Sequence, residues 1–364
     1  MTSHPLKVRS LTAVAVSVPM KRALGTSAQT IRNAPLLLVT LETDEGVSGR
    51  SYAFCYLESV ARSLQLMVSD LSEFLAGQAV APVELSTSIA RYFKLTGLYG
   101  PLCMISSAID VAAWDALSIA AGLPLATFLG GTTQRIAAYN SNGLGLVSPE
   151  LAADEAEELI STGFRAVKMR LGRPSFADDL AAIRAVRKRL PDMVSVMVDF
   201  NQALNFANAM EYCPLLDDEG VYWIEEPIRH DDFVHAAMIA ASTRTPIQLG
   251  ENLVGVAPLF DALKADATDY VMFDLDRIGG VSGWRLANGL AAATGRRVSS
   301  HLFPEVSAHL LAATPTKHWL EYVDWADPLL DEPLRIEDGL AVLSDQPGNG
   351  IKWNAKAVKK HQLV

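Results

Sequence analysis

A chain of 364 residues, 50% hydrophobic and 20% charged, carries enough apolar side chains for a packed core and too little charge for intrinsic disorder, and its length predicts two structural units rather than one. A formal net charge of -10 excludes a broad basic footprint for nucleic acid, because phosphate binding depends on clustered Lys and Arg; an anionic substrate has to be met locally, by a few cations or a metal. Three cysteines without CxxC spacing argue against a disulfide framework or a zinc knuckle and fit a reducing cytoplasm.

In chain order, Lys7 and Arg9 precede an apolar run over residues 11–18 that superficially resembles a signal peptide. It alternates small and β-branched residues, stops at Pro19 ahead of Lys21 and Arg22, and lacks an A-x-A site, so it reads as a first strand. Residues 36–42 and 47–52 flank the turn Asp44-Glu45-Gly46 and predict a hairpin. From Leu57 the pattern is helical, and a small-residue-rich helix over 103–121 ends at Gly122. Residues 1–133 thus predict an α+β unit. No uninterrupted apolar stretch reaches the ~18 residues of a membrane span.

From residue 135, apolar runs at 136–140, 166–170, 194–201, 221–227, 247–252, 270–274, 298–301 and 319–323 alternate with helical stretches such as 176–190. Eight strands separated by helices predict parallel pairing and a closed α/β barrel over 134–323. Residues 324–364, punctuated by Pro328, Pro333, Gly339, Pro347, Gly348 and Gly350, predict a loop-rich segment that packs back on the first unit.

Charged residues fall in or at the ends of these runs: Asp199, Glu225, Glu251, Asp274, His301 and Glu321, in order around the barrel. Buried charge at the end of an apolar strand needs a reason, and in such barrels the C-terminal strand ends form the active site. Asp199, Glu225 and Glu251 follow one another at equal steps of 26 residues, about one βα unit. Three gathered carboxylates repel one another unless a cation sits among them, and oxygen-only ligands select a hard ion such as Mg²⁺, with Mn²⁺ as the alternative. Residues two apart on a strand share a face, so Lys168 projects with Arg170 and Asp199 with Asn201.

The segments Phe164-Arg165-Ala166-Val167-Lys168, Met197-Val198-Asp199-Phe200-Asn201-Gln202, Trp223-Ile224-Glu225-Glu226-Pro227, Gly250-Glu251-Asn252, Ile278-Gly279-Gly280-Val281 and Ser299-Ser300-His301-Leu302-Phe303 resemble the mandelate racemase subgroup of the enolase superfamily, and the likeness runs on through residues 309–316 to Trp319-Leu320-Glu321. The resemblance implies a modified (β/α)₇β TIM-like barrel under an α+β capping domain, and Mg²⁺ on Asp199, Glu225 and Glu251. It also implies a His301/Asp274 general base, a protonated Glu321 donating to a substrate carboxylate, assistance from Lys168, Asn201 and Ser141, and a homo-oligomer, from dimer to octamer. The chemistry is removal of a proton alpha to a carboxylate, whose doubly charged product needs a metal and fixed donors.

Two departures from the racemase pattern steer the reading. A second base would come from a Lys-x-Lys pair that here reads Lys168-Met169-Arg170, and the free-base fraction of arginine at neutral pH is about one part in 10⁵ or less, a penalty of roughly 7 kcal/mol. Arg170 suits anion binding better. The segment 19–35, a loop over the site in the family, carries Lys21, Arg22, Thr26, Ser27, Gln29, Thr30, Arg32 and Asn33, which predicts a polar lid; Arg22 and Tyr56 join Asn201 and Ser141 as candidate substrate contacts. One base and a polar lid favour dehydration of an acid sugar to a 2-keto-3-deoxy acid. The rivals are a 2-hydroxy-acid racemase or epimerase, a glycosidase using Glu225 and Glu321, and a sugar-acid binding protein without catalysis.

Overall fold

A computed structural model describes residues 5–363. Its first unit is an antiparallel sheet in the order β1 (Val8–Gly25), β2 (Thr30–Thr43), β3 (Ser48–Phe54), followed by α1 (Glu58–Leu75), α2 (Pro82–Tyr92) and α3 (Pro101–Ala120). Helix α1 buries Ala61, Leu64, Val68, Leu71 and Leu75, one stripe at helical spacing that covers the sheet. Helix α3 is buried almost all round and lies between the sheet and the second unit. By length and composition it could cross a membrane, but 72% of its apolar window is buried inside the protein.

Gly49 lets β3 and α3 meet. A Cβ there would stand 1.9 Å from the Ala112 carbonyl oxygen and 2.8 Å from the Ala116 nitrogen, both backbone atoms that cannot swing away. Gly49→Ala is therefore expected to destabilise the fold by at least about 1–3 kcal/mol, the usual range for overpacking, measured as a drop in the urea midpoint at unchanged m-value.

The segment expected as a loop over 19–35 is instead paired. β1 runs to Gly25, β2 starts at Thr30, Leu24 stands opposite Ile31, and the Thr26 N–H donates to the Gln29 carbonyl at 3.0 Å. Ser27 Oγ at the tip lies 3.3 Å from the carbonyl oxygens of both Phe200 and Asn201, so the hairpin rests on the rim of the second unit.

That unit is a barrel of eight strands: β4 (Ile136–Asn140), β5 (Ala166–Arg170), β6 (Ser195–Asp199), β7 (Ile224–Glu225), β8 (Ile247–Leu249), β9 (Tyr270–Asp274), β10 (Arg297–His301) and β11 (Leu320–Tyr322). Neighbours from β4 to β10 pair in parallel, and β11 pairs with β4. The ring closes where the Ser300 N–H donates to the Trp319 carbonyl at 3.0 Å and the His318 N–H to the Val298 carbonyl at 2.7 Å. Tyr139, Ala166, Met197, Trp223 and Met272 fill the interior, so the barrel is a core rather than a pore.

The tail is more ordered than its Pro and Gly content suggests. β12 (Arg335–Glu337) and β13 (Leu340–Val342) form a hairpin that adds antiparallel to β4, and the chain then returns to the first sheet, where the Leu363 N–H donates to the Ala15 carbonyl.

Candidate active site

The parallel register carries charged side chains to one end of the barrel. Arg170 is paired with Asp199, Asp199 with Glu225, and His301 with Asp274, while Glu251 follows β8 directly. Each side chain is buried. Asp199, Glu225 and Glu251 each offer an oxygen within 4.8 Å of the others.

Their positions are set from below and from the side. Trp223 Nε1 donates to Glu225 Oε2 at 3.0 Å, with Gln248 Nε2 at 3.3 Å. Asn201, at φ 44°, folds back so that its N–H and its Nδ2 donate to the two Asp199 oxygens at 2.8 and 2.9 Å. Asn201 thus holds Asp199 while its own Oδ1 has no partner among the described residues. Burial raises the Asp199 carboxyl against the pull of Lys168, and it pushes Glu225 well above its ordinary value, with Asp199 and Glu251 adding to the rise. Among the described residues Glu251 Oε2 is buried without a hydrogen bond, with only His301 Nε2 facing it at 3.3 Å. Three mutually repelling, oxygen-only donors with an unused buried lone pair fit a hard divalent cation such as Mg²⁺.

Lys168 Nζ stands 2.6 Å from Glu225 Oε1, 3.0 Å from Glu321 Oε1 and 3.4 Å from Asp199 Oδ2. Burial alone would lower its pKa, but Glu225 and Glu321 outweigh it and hold the ammonium charged.

His301 Nδ1 is 2.6 Å from Asp274 Oδ2, and its Nε2 faces Glu251 Oε2 at 3.3 Å. Burial would lower the imidazole, yet Glu251 and Glu321 raise it on balance; positive charge among the acidic triad offsets that pull and favours the neutral, basic ring.

The resemblance implies a protonated Glu321, whereas the cations around it here pull toward the carboxylate. Burial raises its carboxyl, but Lys168, His301 and Arg170 outweigh burial and hold it well below the usual carboxylate range; the Leu302 N–H also donates to it at 2.8 Å. These contacts favour the carboxylate form, and Lys168 stands beside it as a charged donor.

Other candidates sit differently from expectation. Arg170 lines the pocket edge, but its guanidinium donates to the Ser141 carbonyl at 2.7 Å, the Gly143 carbonyl at 3.2 Å and Ser141 Oγ at 2.9 Å. Ser141 is fully buried behind Arg170 and Glu321, where it positions both and does not reach the pocket. Arg22 pairs with Glu158 and Lys21 with Asp324, and Arg22 is not among the residues that line the pocket. Tyr56 does line it, its hydroxyl accepting from Arg277 Nη2 at 3.1 Å.

Arg277 is the site residue that sequence reasoning missed. Its N–H donates to Asp274 Oδ1 at 3.0 Å and its Nη1 to the Glu251 carbonyl at 2.9 Å, and its guanidinium lies over the Tyr56 ring at 5.5 Å. It braces Asp274 from the side opposite His301. Its place three residues after Asp274, just before Gly279-Gly280, was a signal that could have found it.

The pocket above these groups holds about 170 Å³. The hairpin lines it with Leu24, Thr26, Ala28, Gln29 and Ile31, and Phe54 and Trp325, with ring centroids 5.0 Å apart, close one side. The predicted polar lid is met only in part: Thr26 and Gln29 line the pocket and Thr30, Arg32 and Asn33 are exposed, whereas Leu24 and Ile31 are buried, because alternation along paired strands sends the apolar members inward.

Comparison with known proteins agrees with this architecture. Residues 8–130 match the family model for the mandelate racemase / muconate lactonizing enzyme N-terminal domain, and residues 151–357 match that for the enolase C-terminal domain-like fold. An enolase from alpha proteobacterium bal199 with bound Mg superposes at a TM-score of 0.96, with 42% identity over 98% of this chain and 100% of that one. A Bradyrhizobium enolase complexed with magnesium and mandelic acid superposes at 0.94, with 38% identity over the full length of both chains. L-Talarate/galactarate dehydratase of Salmonella typhimurium is 29% identical over 96% of this chain and 88% of its own length. Curated relatives include both dehydratases and epimerases. With both domains matched, and with acidic and basic groups gathered at the barrel end where such enzymes react, the chain belongs to the mandelate racemase / muconate lactonizing enzyme family of the enolase superfamily.

Proposed function

We propose that this protein is a Mg²⁺-dependent enzyme that removes the proton alpha to the carboxylate of a 2-hydroxy acid and then expels a β-hydroxyl, the outcome being dehydration of an acid sugar to a 2-keto-3-deoxy acid. The observation that carries the reading is the single competent base: His301 is oriented by Asp274, whereas Lys168 is locked as a cation among three carboxylates and Arg170 is tied to backbone carbonyls. One base supports elimination, and racemisation needs a base on each face.

Asp199, Glu225 and Glu251 would hold the metal, which supplies the positive charge that stabilises negative charge building on the substrate carboxylate as the proton leaves. Lys168 meets that carboxylate with its ammonium. His301 Nε2 takes the C2 proton, Asp274 and Arg277 keep the ring aimed, and the protonated imidazole is placed to return its proton to the departing hydroxyl. The hairpin tip and the pair Phe54 and Trp325 exclude water.

A second reading has one observation of its own. Leu24, Ile31, Phe54 and Trp325 make an apolar flank that suits an aromatic 2-hydroxy acid, and the similar Bradyrhizobium protein is complexed with mandelic acid; this favours a racemase or epimerase. Proton NMR of the Mg²⁺-loaded protein in D₂O, with pooled acid sugars and each mandelate enantiomer separately, decides between them. A 2-keto-3-deoxy product that is lost on chelation supports dehydration. Interconversion of both mandelate enantiomers overturns it and restores a two-base mechanism. The expected homo-oligomer finds support in exposed apolar side chains on the capping unit, such as Leu66, Val83, Leu95 and Tyr99.

A further inference from the structure

A cavity of about 590 Å³, larger than the catalytic pocket, lies outside the barrel between β3 and α3 of the capping unit, the helix Pro304–Ala312 and the tail from Glu332 to Lys352. This is the size of small-molecule sites. Its walls are mostly apolar, with Ile119, Leu334, Val342 and Ile351 among them.

Three polar groups on the wall have hydrogen-bonding capacity left over. Glu305 is 5% exposed; its Oε2 accepts from the Tyr52 hydroxyl at 2.7 Å, and its buried Oε1 has no partner among the described residues. His309 is 3% exposed; its Nδ1 accepts from the Ala126 N–H at 3.2 Å, which places the ring proton on Nε2, where no acceptor stands among the described residues. Arg50 has no side-chain hydrogen bond or salt bridge among the described residues. The neighbouring cations are engaged, Arg335 with Glu337 and Lys352 with Glu332. Of the other two acids on the wall, Glu332 pairs with Lys352, and Asp115 has both oxygens filled by the backbone N–H groups of Arg50 and Asn349.

We propose that this cavity is a second binding site, for a small organic monocarboxylate with an apolar body, whose carboxylate is held by Arg50, His309 Nε2 and Glu305. Burial pushes the Glu305 carboxyl up to about 7 and His309 down to about 4, so between those two values both are predominantly neutral donors and Arg50 supplies one positive charge. One unpaired cation with two neutral donors matches a monoanion; a second negative charge would be left buried and uncompensated. The apolar walls accept the hydrocarbon part. No residue lines both this cavity and the catalytic pocket, so the site stands apart from the proposed reaction.

Octanoate is a suitable probe, titrated calorimetrically into the full-length protein without added metal up to about 10 mM, the weak end of specific binding. Saturable binding is expected. Arg50→Leu is expected to weaken it about 10-fold or more through loss of a charge-assisted contact, Val342→Trp to abolish it by filling the cavity, and His301→Asn to leave it unchanged. Thermal melts of each variant establish that it is folded, and a crystal soaked in octanoate gives a reading that needs no variant. Absence of binding to the parent protein, equal affinity in Arg50→Leu and Val342→Trp, loss of binding in His301→Asn, or density in the catalytic pocket alone each overturn the proposal.

Discussion

His301→Asn is expected to lower kcat by at least about 10³-fold, within the span of general acid–base catalysis, and to stop exchange of the substrate C2 proton in D₂O, with KM changed little. The asymmetry follows from the geometry. His301 takes and returns the proton, whereas the substrate carboxylate is held by Lys168 and the acidic triad, which the substitution leaves in place. Parallel measurement of turnover and of deuterium incorporation at saturating Mg²⁺ separates the steps. Exchange that survives within about 10-fold would mean that another base serves the same proton, and Lys168 would be the first to examine.

Lys168→Met carries the largest expected stability effect. The ammonium is 1% exposed and is the common partner of Glu225, Glu321 and Asp199. Methionine nearly matches its volume but leaves three buried carboxylates facing one another, and removing one partner of a buried ionic cluster typically costs about 3–5 kcal/mol. Urea unfolding of parent and variant without divalent cation should show a difference of that order. With Mg²⁺ present the difference should shrink, because charge held by Asp199, Glu225 and Glu251 replaces part of what Lys168 supplied. A variant as stable as the parent without Mg²⁺ would show that the carboxylates relieve their repulsion by taking up protons.

Much of the site was legible because buried charge is rare. Asp199, Glu225, Asp274 and His301 stand out as ionisable ends of apolar runs, and each lies at the end of its strand. Arg277 was less visible: it sits on a short helical turn after β9 rather than on a strand. Trp325 had no local signal at all, since its place beside Phe54 depends on the tail crossing from barrel to capping sheet.

What the sequence determined by itself is periodicity and order: the alternation of strand and helix that makes a parallel barrel, and the ring of charged groups at its open end. Both are local properties, carried by backbone geometry and by the cost of burying charge. What tertiary structure decided is every property that depends on distance through space. Glu321 is held toward its ionised form because Lys168, two strands away once β11 closes on β4, lies 3.0 Å away. Leu24 and Ile31 face the substrate pocket because β1 and β2 pair beyond Pro19 after a register shift, and a one-residue slip would have turned them outward. Arg170 spends its donors on the carbonyls of Ser141 and Gly143, and Arg22 finds Glu158, only once β4 and β5 stand side by side. Electrostatic energy and side-chain direction follow from neighbours brought together by folding, and neighbours far apart in the chain leave no mark on local pattern.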